Sequence, residues 1–428
     1  MHIRLSGKIS KYSSYIKNMV DYFGASLIPM IVSIVTNPIF AYFLSPEDYA
    51  IIGYYTSFNT LLTPFVIFYM LHYYQRMYFK VDEDGREQLR ALLIKSLFYF
   101  SFILLIIAIA GLFVYSTFIS PNAELPFFPY GILALMPCWF TNFYTIKCVD
   151  LKMSRQSRTY LKMNILNMLF TVGISLILVA CFKMGALGKM TGALLGPVVM
   201  FVLVFREQRK YMKQSFDKKR FKEMVIFCAP LVIAAMLDFF SKGYDKVYLE
   251  HVVSVKALGY YSVGYTIAMY LSVFSSAIST TFAPDIFKSI ASKEYLKCCK
   301  FIAVQVIFIS VIVGVFIILS PYLVFLLTAG KYMTSIPYVK ILSLYAITSC
   351  LYYSMSQVVV ALGYTKLTLV NKILGSLCCL YIYSTFINNW QAIGASWAVV
   401  TSSIVFFVGI CILVLIYKFK SILTYVRK

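Results

Sequence analysis

Apolar stretches long enough to cross a bilayer recur along the whole chain and are separated by short polar segments. Residues 301–319, for example, contain no charged side chain. In lipid only helices and closed barrels satisfy the hydrogen bonds of their own backbone, and barrel strands alternate between polar and apolar residues. The unbroken apolar runs therefore predict an α-helical protein that crosses the membrane many times.

The composition supports this class. Of the 428 residues, 61% are hydrophobic and 13% are charged, and the mean hydropathy is +0.79, outside the range of soluble globular proteins. Hydropathy predicts about twelve transmembrane helices. The predicted spans are 19–43, 50–75, 92–118, 126–147, 162–183, 187–206, 225–250, 257–284, 299–319, 337–362, 367–388 and 391–417.

Basic residues fall mainly on one side of these spans. With the amino terminus inside, the inward segments hold 32 of the 39 Lys and Arg residues, the outward segments hold five, and Lys242 and Lys246 lie within span seven. Basic residues are enriched in cytoplasmic loops, so both termini are predicted to be cytoplasmic. The net charge of +22 is spread over many short loops, which indicates a role in topology and contact with anionic lipid rather than with nucleic acid.

The sequence lacks several common functional motifs. The ten cysteines form no CxxC pair and there is no His-rich cluster, so we predict neither disulfides nor a metal site. No GxxxxGK[ST] phosphate-binding loop occurs. No cofactor is expected, and the candidate energy sources are an H+ or Na+ gradient, the membrane potential or the supply of substrate.

A basic segment from Arg206 to Lys222, REQRKYMKQSFDKKRFK, is the longest polar stretch and divides the chain. We predict an N-terminal lobe at 1–206, a cytoplasmic linker at 207–221 and a C-terminal lobe at 222–428, each lobe with six spans.

Two short turns suggest that the lobes are duplicates. LSPEDYA at 44–50 precedes span two, VSVKALG at 253–259 precedes span eight, and each leads into a Gly-Tyr-Tyr helix start. Chance similarity between short turns is the alternative. With six spans in each lobe, duplication is favoured.

Span seven carries a row of ionisable residues, Asp238, Lys242, Asp245 and Lys246. In a continuous helix the first three share one face and Lys246 lies close to it. Each such residue costs about 2.5–3.5 kcal/mol at the bilayer centre, so this face is predicted to line protein or water. In one hypothesis the lysines bind a phosphate-bearing substrate and the aspartates are their charge partners or carry a coupling ion. In the other, the four residues form a ladder of ion pairs that only holds helices together.

His72 and Arg76 form a second candidate pair, one helical turn apart near the inner end of span two. Arg76 is predicted to contact an anionic headgroup entering from the cytoplasmic leaflet. Arginine side chains at this depth also extend to the interface without any such role, so that alternative stays open.

Several of these segments resemble the polysaccharide transport family, which flips lipid-linked sugar repeat units and belongs to the same superfamily as multidrug and toxic compound exporters. The similar segments are LSPEDYA at 44–50, QRMYF at 75–79, GYDKVYLEHVVSVKALGYYSVGY at 243–265, LLTAGKYM at 326–333 and ALGYTK at 361–366. The first turn has Ala50 where the family usually has Gly.

The resemblance implies two pseudo-symmetric six-helix bundles around a central cavity that opens alternately to each side of the bacterial inner membrane. It implies transport of an undecaprenyl-pyrophosphate-linked oligosaccharide, as used for O-antigen or capsule, from the cytoplasmic to the periplasmic leaflet. The family's recurring acidic-basic pair maps onto Asp245 and Lys246. Polymerases and other polysaccharide assembly proteins are the candidate partners.

Two other functions are alternatives to this one. A membrane polymerase or ligase, the enzyme alternative, needs a structured outer site, but the longest outer segment, near 320–336, contains no His or Arg. A multidrug exporter of the same fold would favour an acidic cavity for organic cations, whereas span seven combines two lysines with two aspartates. A flippase rather than an enzyme is therefore predicted, with rocking of 1–206 against 222–428 as its mechanism.

Overall fold

A computed structural model describes residues 28–78, 80–154 and 156–426, and every regular element within them is a helix. The basic residues before position 28 and part of the first predicted span lie outside the described residues. In the first half of the chain the helices are α1 (Ile28–Phe43), α2 (Pro46–Ile67), α3 (Met70–Met77), α4 (Glu83–Ile119), α5 (Tyr130–Met153), α6 (Ser157–Cys181) and α7 (Gly185–Gln208). They are followed by α8 (Lys218–Met236), α9 (Phe239–Lys242), α10 (Tyr244–Leu249), α11 (Val255–Ala291), α12 (Tyr295–Thr328), α13 (Ile336–Ser343), α14 (Tyr345–Ala361) and α15 (Thr365–Val426).

Ten helical segments of the described residues are long and apolar enough to cross a membrane. The last, Lys366–Ile416, holds two of the predicted spans, because Gln391 has a non-helical backbone (φ 50°, ψ −129°) where two helices meet. The apolar helix α1 corresponds to the first predicted span. The prediction of an all-α protein with many membrane spans is confirmed.

Contacts divide the described chain into two units. The first comprises the residues up to Leu44 together with Leu62–Ile233, and the second comprises Ser45–Leu61 together with the residues from Ala234 onward. This division differs from the predicted lobes, since the first part of α2 belongs to the second unit and most of α8 belongs to the first. Duplication of two six-helix lobes stays a prediction.

Aromatic side chains fill the interior of the first unit between α4 and α5. Phe98, Trp139 and Phe143 pack edge to face, with ring centroids 5.2–6.1 Å apart. The Trp139 indole N–H donates to the carbonyl of Leu97, 3.0 Å away, in a π-helical turn of α4 at Ser96–Phe100. Each aromatic pair stabilises the packing by about 0.5–1.5 kcal/mol beyond the area it buries.

Serine caps begin the two helices whose preceding turns resemble each other in sequence. The Ser45 hydroxyl accepts from the Asp48 amide at 3.1 Å, and the Asp48 carboxylate accepts from the Ser45 amide at 2.8 Å. At the start of α11 the Ser254 hydroxyl accepts from the Ala257 amide at 3.3 Å. Such caps satisfy amides that have no partner within the helix.

The start of α2 packs closely on the start of α11 within the second unit. A Cβ atom added to Gly259 would lie 1.8 Å from the carbonyl oxygen of Pro46, and one added to Gly53 would lie 2.3 Å from Ser262 Oγ. Only glycine permits the two helices to approach this closely.

Span seven, predicted as one helix from 225 to 250, is instead divided into α8, α9 and α10. Near Asp238 several amides bond to the carbonyl three residues earlier rather than four, which tightens the chain and ends α8. At Gly243 the backbone leaves the helical region (φ −138°), and a Cβ there would lie 2.9 Å from the carbonyl oxygen of Ser57. The prediction that the charged residues share the face of one continuous helix is therefore wrong.

Candidate functional site

Lys242 lies at the end of α9 and lines a cavity of about 430 Å³ within the second unit. Its ammonium group donates to the hydroxyl of Tyr353 on α14, 3.0 Å away. Its carbonyl accepts from the Tyr265 hydroxyl at 3.0 Å, which fixes the backbone at the break before Gly243. Among the described residues, no carboxylate oxygen lies within 4.0 Å of the Lys242 ammonium nitrogen.

A smaller cavity of about 210 Å³ shares lining residues with the first. It is also lined by a second lysine, Lys372 of α15. Both cavities are lined by Lys242 and Tyr353. Lys372 Nζ lies 3.0 Å from Asp238 Oδ1 and donates to the carbonyl of Ala234 at 3.1 Å. Two lysines and one aspartate thus line the smaller cavity.

Sequence reasoning missed Lys372 as a site residue. It lies within the predicted span 367–388. A lysine at membrane depth is a sequence signal for a buried polar partner, so the position of Lys372 within a span is the feature that identifies it.

Asp245 and Lys246, in contrast, are buried together in the protein interior on α10. The Tyr261 hydroxyl donates to Asp245 Oδ2 at 2.6 Å, and Lys246 Nζ lies 4.0 Å from the same oxygen. Lys246 Nζ also lies 3.5 Å from the centroid of the Tyr265 ring. The side chains of Asp245 and Lys246 are 0% and 7% exposed.

This placement does not support contact between Lys246 and a substrate, because the residues that line the two cavities do not include it. The predicted ladder also takes another form. Asp238 pairs with Lys372 rather than with Lys242, and Asp245 interacts with Tyr261 and Lys246. The four charges of span seven are therefore two groups, one lining the cavities and one buried.

The second predicted pair, His72 and Arg76, lies on α3 in the first unit. Positive φ angles at Phe68 and Tyr69 separate α3 from α2, so the predicted span 50–75 is not one straight helix. Both side chains are exposed, and the Arg76 guanidinium carbon lies 4.6 Å from the ring centroid of Phe227 on α8. Contact with a headgroup stays a prediction for Arg76.

Another polar cavity, of about 570 Å³, lies in the first unit beside the segment after α7. Arg90 of α4 is at its centre: Nε lies 2.9 Å from Asp150 Oδ2, and an Nη atom donates to the Tyr211 hydroxyl at 2.9 Å. The Tyr74 hydroxyl donates to the other Asp150 oxygen at 2.5 Å. Part of the predicted linker, Arg209–Lys213, is thus a 3-10 helix within the first unit.

Arg90→Ala is expected to release this segment. The substitution leaves the Asp150 carboxylate without its guanidinium partner and removes the bond to Tyr211, so local opening becomes more frequent. Chymotrypsin should then cleave near Tyr211 and Phe216 about tenfold faster in the purified protein. Arg206→Ala, which changes an exposed arginine, is the control; equal cleavage rates for the two variants would contradict the assigned role of Arg90.

Comparison with known proteins identifies the family and the fold of this chain. The sequence model of a family described as "Polysaccharide biosynthesis protein" matches residues 15–290, more than half of the chain. No curated protein matches the sequence.

Among solved structures, an inward-facing multidrug resistance MATE family transporter of the MOP superfamily is similar, with a TM-score of 0.70, 12% identity and coverage of 92% of this chain and 93% of that one. The lipid II flippase MurJ, in an inward closed conformation, has a TM-score of 0.67 and 14% identity, with coverage of 93% and 87%. A MOP superfamily transporter from Pyrococcus furiosus has a TM-score of 0.58 and 14% identity, with coverage of 94% and 95%. At these identities the likeness establishes the fold, and the family match establishes membership: this chain belongs to the polysaccharide biosynthesis protein family.

Proposed function

We propose that this protein is a flippase that moves undecaprenyl-pyrophosphate-linked oligosaccharide repeat units, for O-antigen, capsule or exopolysaccharide, from the cytoplasmic to the periplasmic leaflet by alternating access. Membership of a polysaccharide biosynthesis family and the fold shared with a lipid II flippase support this proposal. In the proposed orientation both termini face the cytoplasm of the bacterial inner membrane. Polymerases and other assembly proteins would receive the flipped product, and an H+ or Na+ gradient is the proposed energy source.

The observation that carries the proposal is that Lys242 and Lys372 line the same cavity. Burying an ammonium group at membrane depth is costly, so its presence calls for a compensating anion. A pyrophosphate diester is a dianion whose oxygens accept charge-assisted hydrogen bonds from lysine. Two lysines from different helices match that charge.

Before cargo binds, Asp238 supplies the negative charge that pairs with Lys372. Its carboxylate lies 3.0 Å from Lys372 Nζ and neutralises that lysine. An entering pyrophosphate would take over Lys372, and Asp238, which is about one third exposed, would turn toward water. When the cargo leaves, the ion pair forms again, so Lys372 has an anionic partner in both states.

The test is export of the lipid-linked glycan by Lys242→Ala and Lys372→Ala variants at equal membrane abundance. Loss of one charge-assisted bond is expected to lower export about 10- to 100-fold. Lys340→Ala, which changes an exposed lysine of α13, is the control and should export normally. Since Lys372→Ala leaves Asp238 unpaired, Asp238→Asn/Lys372→Ala separates loss of folding from loss of export. Normal export by both Lys242→Ala and the double variant would refute the proposal.

Export of organic cations is the second candidate, favoured by the likeness to a multidrug MATE transporter. An organic cation would bind Asp238 and be repelled by the lysines. Cells that express the protein would then resist cationic dyes, and Asp238→Asn alone would abolish the resistance. Unchanged dye sensitivity together with the lysine-dependent glycan export would exclude this alternative.

A further inference from the structure

The cavity of about 430 Å³ is lined by many neutral polar side chains in addition to Lys242. They come from α11 and α14 and include Ser272, Ser276, Ser279, Thr280, Ser349 and Gln357. The aromatic residues Tyr345 and Tyr353 complete the lining next to Lys242. The six serine, threonine and glutamine residues are called the α11 wall below, because four of them lie on α11.

The hydroxyl hydrogens of Ser272, Thr280 and Ser349 are already used, the last in a bond to the carbonyl of Ala346 at 3.2 Å. Ser272 donates to the carbonyl of Met269 at 2.6 Å, and Thr280 donates to the carbonyl of Ser276 at 2.8 Å. A hydroxyl that donates to its own helix keeps lone pairs that can only accept hydrogen bonds. These three hydroxyls of the wall therefore offer acceptors to a ligand rather than donors.

Gln357 adds an acceptor that the protein does not satisfy. Its Nε2 atom donates to the carbonyl of Ser279 at 3.2 Å, which sets the orientation of the amide. Its Oε1 atom is buried and has no hydrogen-bond partner among the described residues. Buried polar atoms in folded proteins are normally paired, so this oxygen requires a donor from a ligand or from water.

Lys242 and Tyr353 supply donors to the same cavity. Lys242 has an ammonium group there, and the Tyr353 hydroxyl, which accepts from Lys242, is free to donate its own hydrogen. The cavity lining thus combines cationic and hydroxyl donors with neutral acceptors. A matching ligand has an anionic group at one end and many hydroxyl or amide N–H donors at the other, as a glycosyl diphosphate does.

We infer that the α11 wall is a sugar subsite, which accepts hydrogen bonds from the hydroxyl and N–H groups of the sugar next to the pyrophosphate. This inference rests on the proposed function and extends it from the pyrophosphate to the glycan. The sugar ring can also lie against Tyr345 or Tyr353, which line the cavity with Gln357. Because the wall lacks a carboxylate, a basic amino sugar gains nothing from it, and neutral sugars are the favoured class.

The experiment compares two soluble probes, inorganic pyrophosphate and a hexose 1-diphosphate, by calorimetric titration of the purified full-length protein in lipid nanodiscs. The wild-type protein should bind the hexose 1-diphosphate about tenfold more tightly than pyrophosphate, since two or more neutral hydrogen bonds are added. Thr280→Val/Gln357→Leu should remove this advantage and leave pyrophosphate affinity within about twofold of wild type. Equal melting temperatures would show that the variant is folded.

Thr281→Val is the matched control, because Thr281 is the adjacent threonine, is exposed, donates to Ala277 at 2.9 Å and is not part of the cavity lining. It should keep the full advantage of the hexose 1-diphosphate. If the two probes bind equally to wild type, or if the double variant keeps the difference, the sugar subsite is refuted while pyrophosphate binding still supports the flippase. If neither probe binds, or if Lys242→Ala binds pyrophosphate as wild type does, the proposed function fails first and the subsite with it.

Discussion

Asp245→Asn is expected to destabilise the folded protein by about 3–5 kcal/mol, because it leaves Lys246 as a buried cation without a charge partner. The asparagine can still accept the hydrogen bond from Tyr261, so the substitution changes charge with little change of shape. Asp245→Asn/Lys246→Met removes both charges and should regain most of the lost stability. Survival of the monodisperse protein after heating, followed by size-exclusion chromatography in detergent, measures the effect.

Asp285→Asn provides the comparison, because this carboxylate of α11 is exposed. It should melt as the wild type does. If Asp245→Asn also melted as the wild type, the buried pair would not stabilise the fold. If the double variant failed to recover, the loss would have a cause other than the unpaired lysine, such as a steric change at Tyr265.

Gly259→Ala is expected to have a similarly large effect through packing alone. The added methyl group would lie 1.8 Å from the carbonyl oxygen of Pro46, a backbone atom, and no side-chain rotation can separate the two. The start of α2 must then move off α11, which costs about 3 kcal/mol, the upper end of the usual penalty for overpacking. We expect most of the protein to be lost from the membrane fraction, measured by immunoblot and by recovery of monodisperse protein.

The matched control is Gly314→Ala in the middle of α12, where an added Cβ would contact nothing within 4 Å. Alanine has the higher helix propensity, so this variant should be neutral or more stable by about 0.5–1 kcal/mol. Recovery of Gly259→Ala at the level of Gly314→Ala would mean that α2 and α11 can separate without penalty.

Hydropathy predicted the helices well because burial in lipid constrains each span independently of its neighbours. The predicted span 299–319, for example, lies within α12, and 92–118 lies within α4. The likeness of the turns at 44–50 and 253–259 also had a structural counterpart, since Ser45 and Ser254 both cap a helix.

The arrangement of the charges could not be predicted in the same way. An argument from helical periodicity assumes a continuous helix, and the breaks near Asp238 and at Gly243 remove the shared face. The partner of Asp238 is Lys372, which is distant in sequence and reaches Asp238 only through packing of α15. Burial of Lys246 beneath Tyr265 likewise depends on tertiary contacts that a single sequence does not reveal.

The assignment of residues 45–61 to the second unit has a consequence for how the chain is assembled during synthesis. These residues leave the ribosome before nearly all of the first unit, yet their packing partners on α11 are made only after that unit is complete. Domains generally fold as units in order of synthesis, and here that order is broken by one helix. The start of α2 must therefore stay in the membrane without its final neighbours until α11 is inserted, so a truncated chain ending before α11 exposes a tyrosine-rich helix face that a nascent-chain chaperone or a protease can recognise.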